Sequence, residues 1–485
     1  MSVKLERDLR IYMSYLDTVL PTVAADQLVA PVVALSPAPA SPQPSPRPGW
    51  LTATAATVAV VLLVGSLIVI SSGSTNDPAP VATSPPIEND PAPVATSPPI
   101  ENDPTEAQSV FGGLGAQVMN SVTVGGPGLV AVGSDSPPVV SLDDTLGSAA
   151  VWTSVDGFTW SRVPHDEAVF GTGGALMLDV TVGGPGLVAV GSEGRFNRES
   201  DAVVWTSVDG LIWSRVPHDE AVFGGGWINS VTAGGPGLVA VGSVNSANEP
   251  DGDALGDAAV WTSVDGITWS RVPHDEAVFG GADTQWMDEV IVGGPGLVAV
   301  GSDGRGYWDN NAGLVAAVWT SVDGITWSRV PHDDAVFGRL PELGGFSRDG
   351  MISVTAGGPG LVAVGTGVDP PVWTSVDGIT WSRVTDDNLS GIGVMTGVTA
   401  GGPGLVAVGF RDMWTSVDGI TWSRVPNDLE GDHGKWSVIT AGTGLVAVGA
   451  VDASLAGNSD AAVWTSVDGI TWSRVSHDEA TAGAG

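Results

Sequence analysis

The chain has 485 residues, with 54 Asp and Glu against 18 Lys and Arg, which gives a formal net charge of −36. The negative electrostatic potential of such a chain repels the phosphate backbone of nucleic acids, so the composition excludes nucleic acid as a partner. Cysteine is absent, which excludes disulfides, thiol catalysis and thiolate metal sites.

The first 30 residues carry a short amphipathic pattern. Its apolar positions recur at steps of four and three, as on one face of a helix: Leu5, Leu9, Tyr12, Leu16 and Val19. One such helix cannot enclose a core, so residues 1–30 are predicted to be cytoplasmic and to dock on a partner or on the inner membrane surface. Residues 31–49 are rich in Pro and Ala and are predicted to form a linker.

Residues 50–72 contain no charged side chain and are long enough to cross a bilayer once as a helix. The run is too long for a signal-peptide core. Arg47 precedes it, whereas Asp77 and Glu88 follow it, so the positive-inside rule predicts a cytoplasmic N-terminus and an extracellular remainder at the cell membrane. A buried core helix is the alternative, and the Pro-rich flanks argue against it.

A thirteen-residue tract, NDPAPVATSPPIE, begins at Asn76 and is repeated from Asn89. Its prolines favour an extended polyproline helix of about 3.1 Å per residue. Residues 73–104 are therefore predicted to form a stalk that holds the next domain away from the bilayer. A peptide ligand for a proline-binding domain is the alternative.

Residues 105–485 contain seven copies of Trp-Thr-Ser-Val-Asp-Gly, which alternate with seven copies of Gly-Leu-Val-Ala-Val-Gly. Each repeat is predicted to form four strands, because strand-like segments follow one another between tight-turn signals. With no helical periodicity, this predicts an all-β fold: a seven-bladed β-propeller of four-stranded antiparallel blades, preceded by the one transmembrane helix. An open β-solenoid is the alternative.

The segment Ser154-Val155-Asp156-Gly157-Phe158-Thr159-Trp160 resembles the Asp-box, or bacterial neuraminidase repeat, of the sialidase-like superfamily, with one residue fewer between Asp and Gly. The Asp carboxylate can accept hydrogen bonds from turn amides, and Gly can take a positive φ. In such propellers the box is a folding device on the face away from the ligand. The resemblance therefore implies a structural role for seven aspartates: Asp156, Asp209, Asp265, Asp323, Asp377, Asp418 and Asp468.

Sialidases use an arginine triad, a Tyr nucleophile with a Glu partner, and an Asp acid/base. Seven arginines of this chain belong instead to a Ser-Arg-Val element repeated on the outer strand: Arg162, Arg215, Arg271, Arg329, Arg383, Arg424 and Arg474. The only tyrosine of the repeats, Tyr307, is predicted to lie on a loop. No catalytic residue and no turnover of sialosides are therefore expected.

Five histidines lie in a recurring His-Asp-Glu or related element: His165, His218, His274, His332 and His477. Copies from different repeats lie far apart in a propeller, and one copy supplies too few ligands for a metal ion. No metal site and no cofactor are therefore predicted. Weak calcium capture by acidic loops such as Asp251-Gly252-Asp253 is the alternative.

The connections between second and third strands, and those between repeats, vary in sequence and share one face of a propeller. Loops on a rigid scaffold commonly carry binding residues, and aromatic side chains anchor ligands. The predicted ligand-binding residues are Trp227, Trp286, Asp303, Arg305, Tyr307, Trp308 and Trp436. For Trp227, Trp286 and Trp436, packing at the start of an inner strand is the alternative role.

Together these features predict a membrane-anchored extracellular β-propeller that acts as a binding or scaffolding module for a protein or a glycan. A sialidase-like glycoside hydrolase is the alternative, and a transmembrane sensor is the second alternative. A carboxylate pair and an arginine cluster that converge on the central pocket would favour the hydrolase.

Overall fold

The structure is a computed structural model that describes residues 110–112, 115–136, 147–172, 174–194, 200–245, 256–281, 284–304, 314–338, 350–367, 370–389, 393–410, 412–426, 433–451 and 459–476. All of them belong to the compact unit Pro98–Gly485. The predicted cytoplasmic helix, linker, membrane helix and stalk lie outside the described residues. Within the described ranges, no helix has the length and apolar character needed to cross a membrane.

Each repeat supplies four consecutive strands. The first strands are β1 (Ala116–Gly125), β5 (Leu176–Gly183), β9 (Gly226–Gly234), β13 (Thr284–Gly293), β17 (Met351–Gly357), β21 (Gly393–Gly401) and β25 (His433–Ala441). The second strands are β2 (Gly128–Ser136), β6 (Gly186–Glu193), β10 (Gly237–Asn245), β14 (Gly296–Gly304), β18 (Gly360–Gly367), β22 (Gly404–Gly409) and β26 (Gly444–Val451).

The third strands are β3 (Ser148–Ser154), β7 (Asp201–Ser207), β11 (Gly256–Ser263), β15 (Val315–Ser321), β19 (Val372–Ser375), β23 (Met413–Ser416) and β27 (Asp460–Ser466). The fourth strands are β4 (Trp160–Arg162), β8 (Trp213–Arg215), β12 (Trp269–Arg271), β16 (Trp327–Arg329), β20 (Trp381–Arg383), β24 (Trp422–Arg424) and β28 (Ser473–Arg474). Short helical turns follow some repeats: α1 (Glu167–Phe170), α2 (Glu220–Phe223) and a 3-10 turn, Asp387–Leu389.

Consecutive strands of a repeat pair antiparallel in chain order, so the prediction of four-stranded antiparallel sheets is confirmed. The sheets of the fifth and sixth repeats are also joined to each other, because β18 pairs with β21 at Thr366–Val394 and Gly367–Gly393. The second strand is covered on both faces: Val130, Ala131 and Val132 are fully buried. A continuous apolar run suits a strand in this position.

The hydrophobic core lies between neighbouring repeats. Val130 and Val132 of the first repeat pack with Met177, Leu187 and Trp205 of the second. Equivalent clusters follow along the rest of the chain. Each sheet therefore buries its faces against the sheets before and after it, as blades of a propeller do.

The last repeat packs against the first. Val446 and Val448 share one buried cluster with Met119. The Ser459 carbonyl also accepts a hydrogen bond of 2.7 Å from the Gln117 N–H. Because the sheets follow one another around a centre and the last meets the first, the described residues form a β-propeller.

The hairpin between third and fourth strands is held by its aspartate. In the first repeat, the Asp156 carboxylate accepts hydrogen bonds from the N–H groups of Phe158 at 2.8 Å and Thr159 at 2.7 Å. Ser154 Oγ accepts from the Gly157 N–H at 2.8 Å, and Gly157 has a φ of 81°. Two turn amides bind the aspartate in the same way at Asp209, Asp265, Asp323, Asp377, Asp418 and Asp468.

The Asp265 carboxylate is exposed, and hydrogen bonds from the Thr268 and Ile267 amides lower its pKa to about 2. The unfolded-state pKa of Asp is about 3.9. Since the folded-state value is the lower one, these bonds stabilise the hairpin above about pH 4, and their contribution is lost as the pH falls towards 2.

The turns between first and second strands meet the aspartate turn of the next repeat. A Cβ built on Gly126 would stand 2.9 Å from the Asp209 carbonyl oxygen, and one built on Gly210 would stand 3.2 Å from Pro127 Cδ. Such contacts recur at the next five boundaries. At the seventh turn, no described atom lies within 4 Å of a Cβ built on Gly442. This face of the boundary between last and first repeats is therefore packed less closely.

Thr443→Pro is expected to raise the free energy of unfolding by about 0.4–1 kcal/mol. In the first repeat, Pro127 follows Gly126, which has a φ of 57°. Gly442 has the same φ and precedes Thr443, so the seventh turn has a glycine of the same conformation before the substituted position. Proline would reduce the entropy of the unfolded chain and add a contact across the loose boundary. Urea unfolding measures the change. The reverse substitution, Pro127→Thr, should lower stability, and a loss of stability in Thr443→Pro would contradict the expectation.

Candidate functional site

The first strands share a β-bulge at one position, where the register against the second strand shifts. The shift lies between Met177 and Asp179 in β5 and between Met287 and Glu289 in β13. The extra residue at this position has six different identities in the seven repeats: Asn120, Leu178, Asn229, Asp288, Ile352, Thr396 and Trp436. A bulge re-aims side chains, and bulges are frequent beside functional sites.

The bulges surround a cavity of about 390 Å³, which we call the central cavity. Its lining comes from every first strand: residues 120–123, 178–180, 229–232, 288–291, 352–355, 396–399 and 436–439. Three of the lining residues are acidic: Asp179, Asp288 and Glu289. The described lining contains no Arg, Lys, His or Tyr. The carboxyl groups that would favour a hydrolase therefore converge here, whereas no arginine cluster does so among the described residues.

Asp179 is a hydrogen-bonding centre for three repeats. Its Oδ1 accepts from Ser121 Oγ at 2.7 Å and from the Val180 N–H at 2.8 Å. Its Oδ2 accepts from Ser230 Oγ at 2.9 Å and from the Val231 N–H at 2.8 Å. Burial raises the pKa of Asp179, and the four donors oppose this effect. With both oxygens occupied, Asp179 ties β1, β5 and β9 together.

Glu289 and Asp288 have fewer partners. Glu289 Oε2 accepts from the Val354 N–H at 2.5 Å, and burial raises the pKa of Glu289 to about 8 despite this bond and one from Ser353. Burial also raises the pKa of Asp288 well above its usual range; the hydrogen bond from Trp286 opposes this effect, and the charge of Glu289 adds to it. Two neighbouring carboxyl groups thus face the cavity without a described base to compensate them.

Trp286, predicted to bind ligand, orients one of these acids: its Nε1 donates to Asp288 Oδ2 at 3.0 Å. Trp436, also predicted to bind ligand, is the bulge residue of the last repeat and lines the central cavity. Its ring meets the Phe410 ring edge-on, with ring centroids 4.8 Å apart. Trp227 donates from Nε1 to Ser200 Oγ at 2.5 Å. All three tryptophans lie within first strands and are partly buried.

Asp303, the fourth predicted ligand residue, lies in β14 and is occupied by protein groups. Its carboxylate forms an ion pair with Arg329 and accepts a hydrogen bond of 2.9 Å from Gln285 Nε2. The same ion pair recurs as Arg162–Asp135 and Arg215–Glu193. Asp303 is thus one copy of a repeated contact between the second and fourth strands. Arg305, Tyr307 and Trp308 lie outside the described residues.

Two of the predicted residues lie at the central cavity. Trp436 lines it, and Trp286 donates a hydrogen bond to Asp288, which also lines it. The predicted set omits the three acids themselves. A signal for them was present in the sequence: aligned on the repeats, the bulge pairs are Asn-Ser, Leu-Asp, Asn-Ser, Asp-Glu, Ile-Ser, Thr-Gly and Trp-Ser. Only the second and fourth repeats place a carboxyl group here, in strands that are otherwise apolar or carry hydroxyl and amide side chains.

No family model matches the chain, and no curated protein matches it. Among solved structures, Sqt1 from Chaetomium thermophilum is 11% identical, with 74% of this chain and 96% of that chain covered and a TM-score of 0.41. YCF48 bound to D1 peptide is 14% identical, with coverages of 59% and 80% and a TM-score of 0.36. Native Bacillus subtilis arabinanase Arb43A is 10% identical, with coverages of 48% and 91% and a TM-score of 0.28. At these values no ligand or reaction is transferred to this chain.

Proposed function

We propose that the chain is a closed seven-bladed Asp-box-like propeller that serves as a binding module for a protein partner. The central cavity receives a positively charged side chain of that partner. One observation carries this proposal: the Asp288 and Glu289 carboxyl groups line the central cavity, and no described base accompanies them. Burial favours the protonated forms of both groups, and a partner ammonium or guanidinium group would stabilise their ionised forms through charge-assisted hydrogen bonds.

The acidic composition supports the same partner chemistry. With a net charge of −36, the chain attracts basic surfaces over long range and accelerates their association. We therefore expect binding that weakens as the ionic strength rises, because salt screens charges separated by more than about 10 Å at 0.1 M. A neutral glycan would lack this dependence.

Asp288→Asn is expected to weaken binding of a Lys- or Arg-bearing peptide by about 2 kcal/mol, roughly thirtyfold, because the charge-assisted contact is lost. The full chain in detergent micelles is screened against arrays of basic peptides and of glycans, and the affinity of the best peptide is then measured calorimetrically. Asp334→Asn removes one charge at a side chain that is 96% exposed and lies outside the central cavity. Equal affinity losses in the two variants, or a hit list of glycans alone, would contradict the proposal.

A glycoside hydrolase is the second candidate. Glycosidases commonly use two carboxyl groups, one of them protonated at neutral pH to act as the acid. Glu289, with its pKa raised to about 8, has that protonation state beside Asp288. Incubation of the full chain with sialosides and a panel of other glycosides tests the reaction. Sugar release that disappears in Glu289→Gln would favour the hydrolase over the binding module.

We further propose that residues 50–72 anchor the protein in the cell membrane and that the propeller lies outside. The support is the uncharged run itself and the charge difference across it. Protease added to intact cells is expected to remove the propeller and to leave an N-terminal fragment of about 70–100 residues with the cells. Permeabilised cells serve as the control, because there the cytoplasmic segment is cleaved as well. A propeller that resists protease until permeabilisation would reverse the orientation.

A further inference from the structure

The second repeat gathers three metal-ligating side chains away from the central cavity. Asp201 begins β7, and His218 and Glu220 follow β8 in the connection to the third repeat. His218 Nε2 lies 3.1 Å from Glu220 Oε2 and 3.8 Å from Asp201 Oδ2. Within the described ranges, this is the one group of three such residues whose ligand atoms all lie within 4.8 Å of one another.

Neighbouring contacts position the side chains of Asp201 and His218 and the backbone at Glu220, whose side chain is 83% exposed. Asp201 Oδ1 accepts a hydrogen bond of 2.9 Å from the Gly225 N–H, which leaves Oδ2 directed to His218. The imidazole of His218 packs against Phe223, with ring centroids 6.3 Å apart. Glu220 begins α2, whose first turn is fixed by the Asp219 side chain at the Ala221 N–H. Contacts of this kind orient ligands around a metal ion.

Two of the three separations between ligand atoms are close to those around a tetrahedral ion. Zinc binds His nitrogen and carboxylate oxygen at about 2.0–2.2 Å, so two ligands of a tetrahedral site lie roughly 3.3–3.6 Å apart. The distances of 3.1 and 3.8 Å bracket this value. We propose that Asp201, His218 and Glu220 bind a divalent zinc-type ion, with a fourth position open to water. The sequence prediction counted only the ligands within one His-Asp-Glu copy, whereas Asp201 belongs to β7.

The repeats provide matched controls. The fourth repeat has a His–Asp pair, His332 Nε2 to Asp334 Oδ1 at 2.9 Å, but Val315 begins its third strand where Asp201 begins β7. The first repeat likewise has His165 and Glu167 with Ser148 in that place. A His–carboxylate pair without the third ligand is therefore present in these two repeats. The third repeat has Asp257 in that place beside the His274–Glu276 pair, but the ligand atoms of these three residues do not all lie within 4.8 Å of one another.

The test uses the full chain in detergent, treated with chelator and titrated calorimetrically with Zn²⁺ at pH 7.5. We expect saturable binding in the wild type that loses one equivalent in His218→Ala. Asp201→Asn, whose Oδ1 can keep the Gly225 bond, should lower the affinity at least about tenfold. His332→Ala should retain the wild-type stoichiometry. Thermal melting confirms that each variant is folded.

Co²⁺ provides an independent readout, because a tetrahedral ion with His and carboxylate ligands gives a visible absorption band that His218→Ala would abolish. Absence of saturable Zn²⁺ binding in the wild type would overturn the proposal. Equal losses in His218→Ala and His332→Ala would overturn it too, because they would assign the binding to exposed His–carboxylate pairs in general.

Discussion

Asp179→Ala is expected to lower the free energy of unfolding by about 3–5 kcal/mol, a large effect for one residue. The substitution removes the only acceptor that Ser121 Oγ, Ser230 Oγ and two backbone amides share. Both serines are buried, so water replaces the lost partner poorly. Urea unfolding followed by tryptophan fluorescence measures the loss, with the slope of the transition checked for two-state behaviour.

Asp179→Asn is the matched variant for this experiment. It keeps one acceptor oxygen and the side-chain shape, but it turns an NH₂ group towards two donors. We expect an intermediate loss, since two of the four hydrogen bonds are retained. If Asp179→Ala cost less than about 1 kcal/mol, Asp179 would not be the hydrogen-bonding centre that joins three repeats.

Glu289→Gln is expected to stabilise the fold at alkaline pH and to have little effect near pH 4. Burial raises the folded-state pKa of Glu289 to about 8, whereas the unfolded value is near 4.3. Between these values the folded state holds a proton that the unfolded state releases. Wild-type stability therefore falls as the pH rises through this window, by about 1.4 kcal/mol per pH unit at most. Glutamine cannot ionise and can still accept the Val354 N–H.

The measurement is the difference in melting temperature between Glu289→Gln and the wild type at half-unit steps from pH 4 to pH 9. The difference should be near zero at the acid end and should grow until about pH 8. Glu167→Gln is the control, because this glutamate is exposed in α1 and lies outside the central cavity. A constant difference across the range would mean that Glu289 gains no proton on folding.

The repeated strands and turns could be predicted from the sequence because the same motifs recur in all seven repeats. Gly-Leu-Val-Ala-Val-Gly became a buried second strand, and the Asp-Gly segment became the turn that follows the third strand. Local turn chemistry and strand alternation determine these features. The order of the strands also follows from the chain, since consecutive strands joined by short turns pair with each other.

The acids of the central cavity could not be predicted in the same way. Strand alternation assigns Asp288 and Glu289 to opposite faces of β13, but the bulge brings both to the lining. A bulge depends on pairing with the second strand, which single-strand periodicity does not contain. The prediction from aromatic side chains in variable segments came close to the acids, because it includes Trp286, which donates a hydrogen bond to Asp288.

The contacts of Asp303 also could not be predicted from its own strand. Asp303 follows an apolar strand and precedes a variable segment, which is typical of a binding residue. The Arg329 partner lies 26 positions later, and only strand pairing brings the two together. The repeats contained the clue, because Asp135 and Glu193 stand at the same place before Arg162 and Arg215.

The boundary between last and first repeats, packed less closely on one face, has a mechanical consequence. Val110, the first described residue, accepts the Trp152 Nε1 hydrogen bond of 2.8 Å at its carbonyl, and Phe111 is buried in the cluster that spans this boundary. A force applied at Val110 would therefore act first on the boundary between the last and first repeats. Such tension would break the Val110–Trp152 hydrogen bond and withdraw Phe111 from its cluster before it separated paired strands, so the ring would open at this boundary.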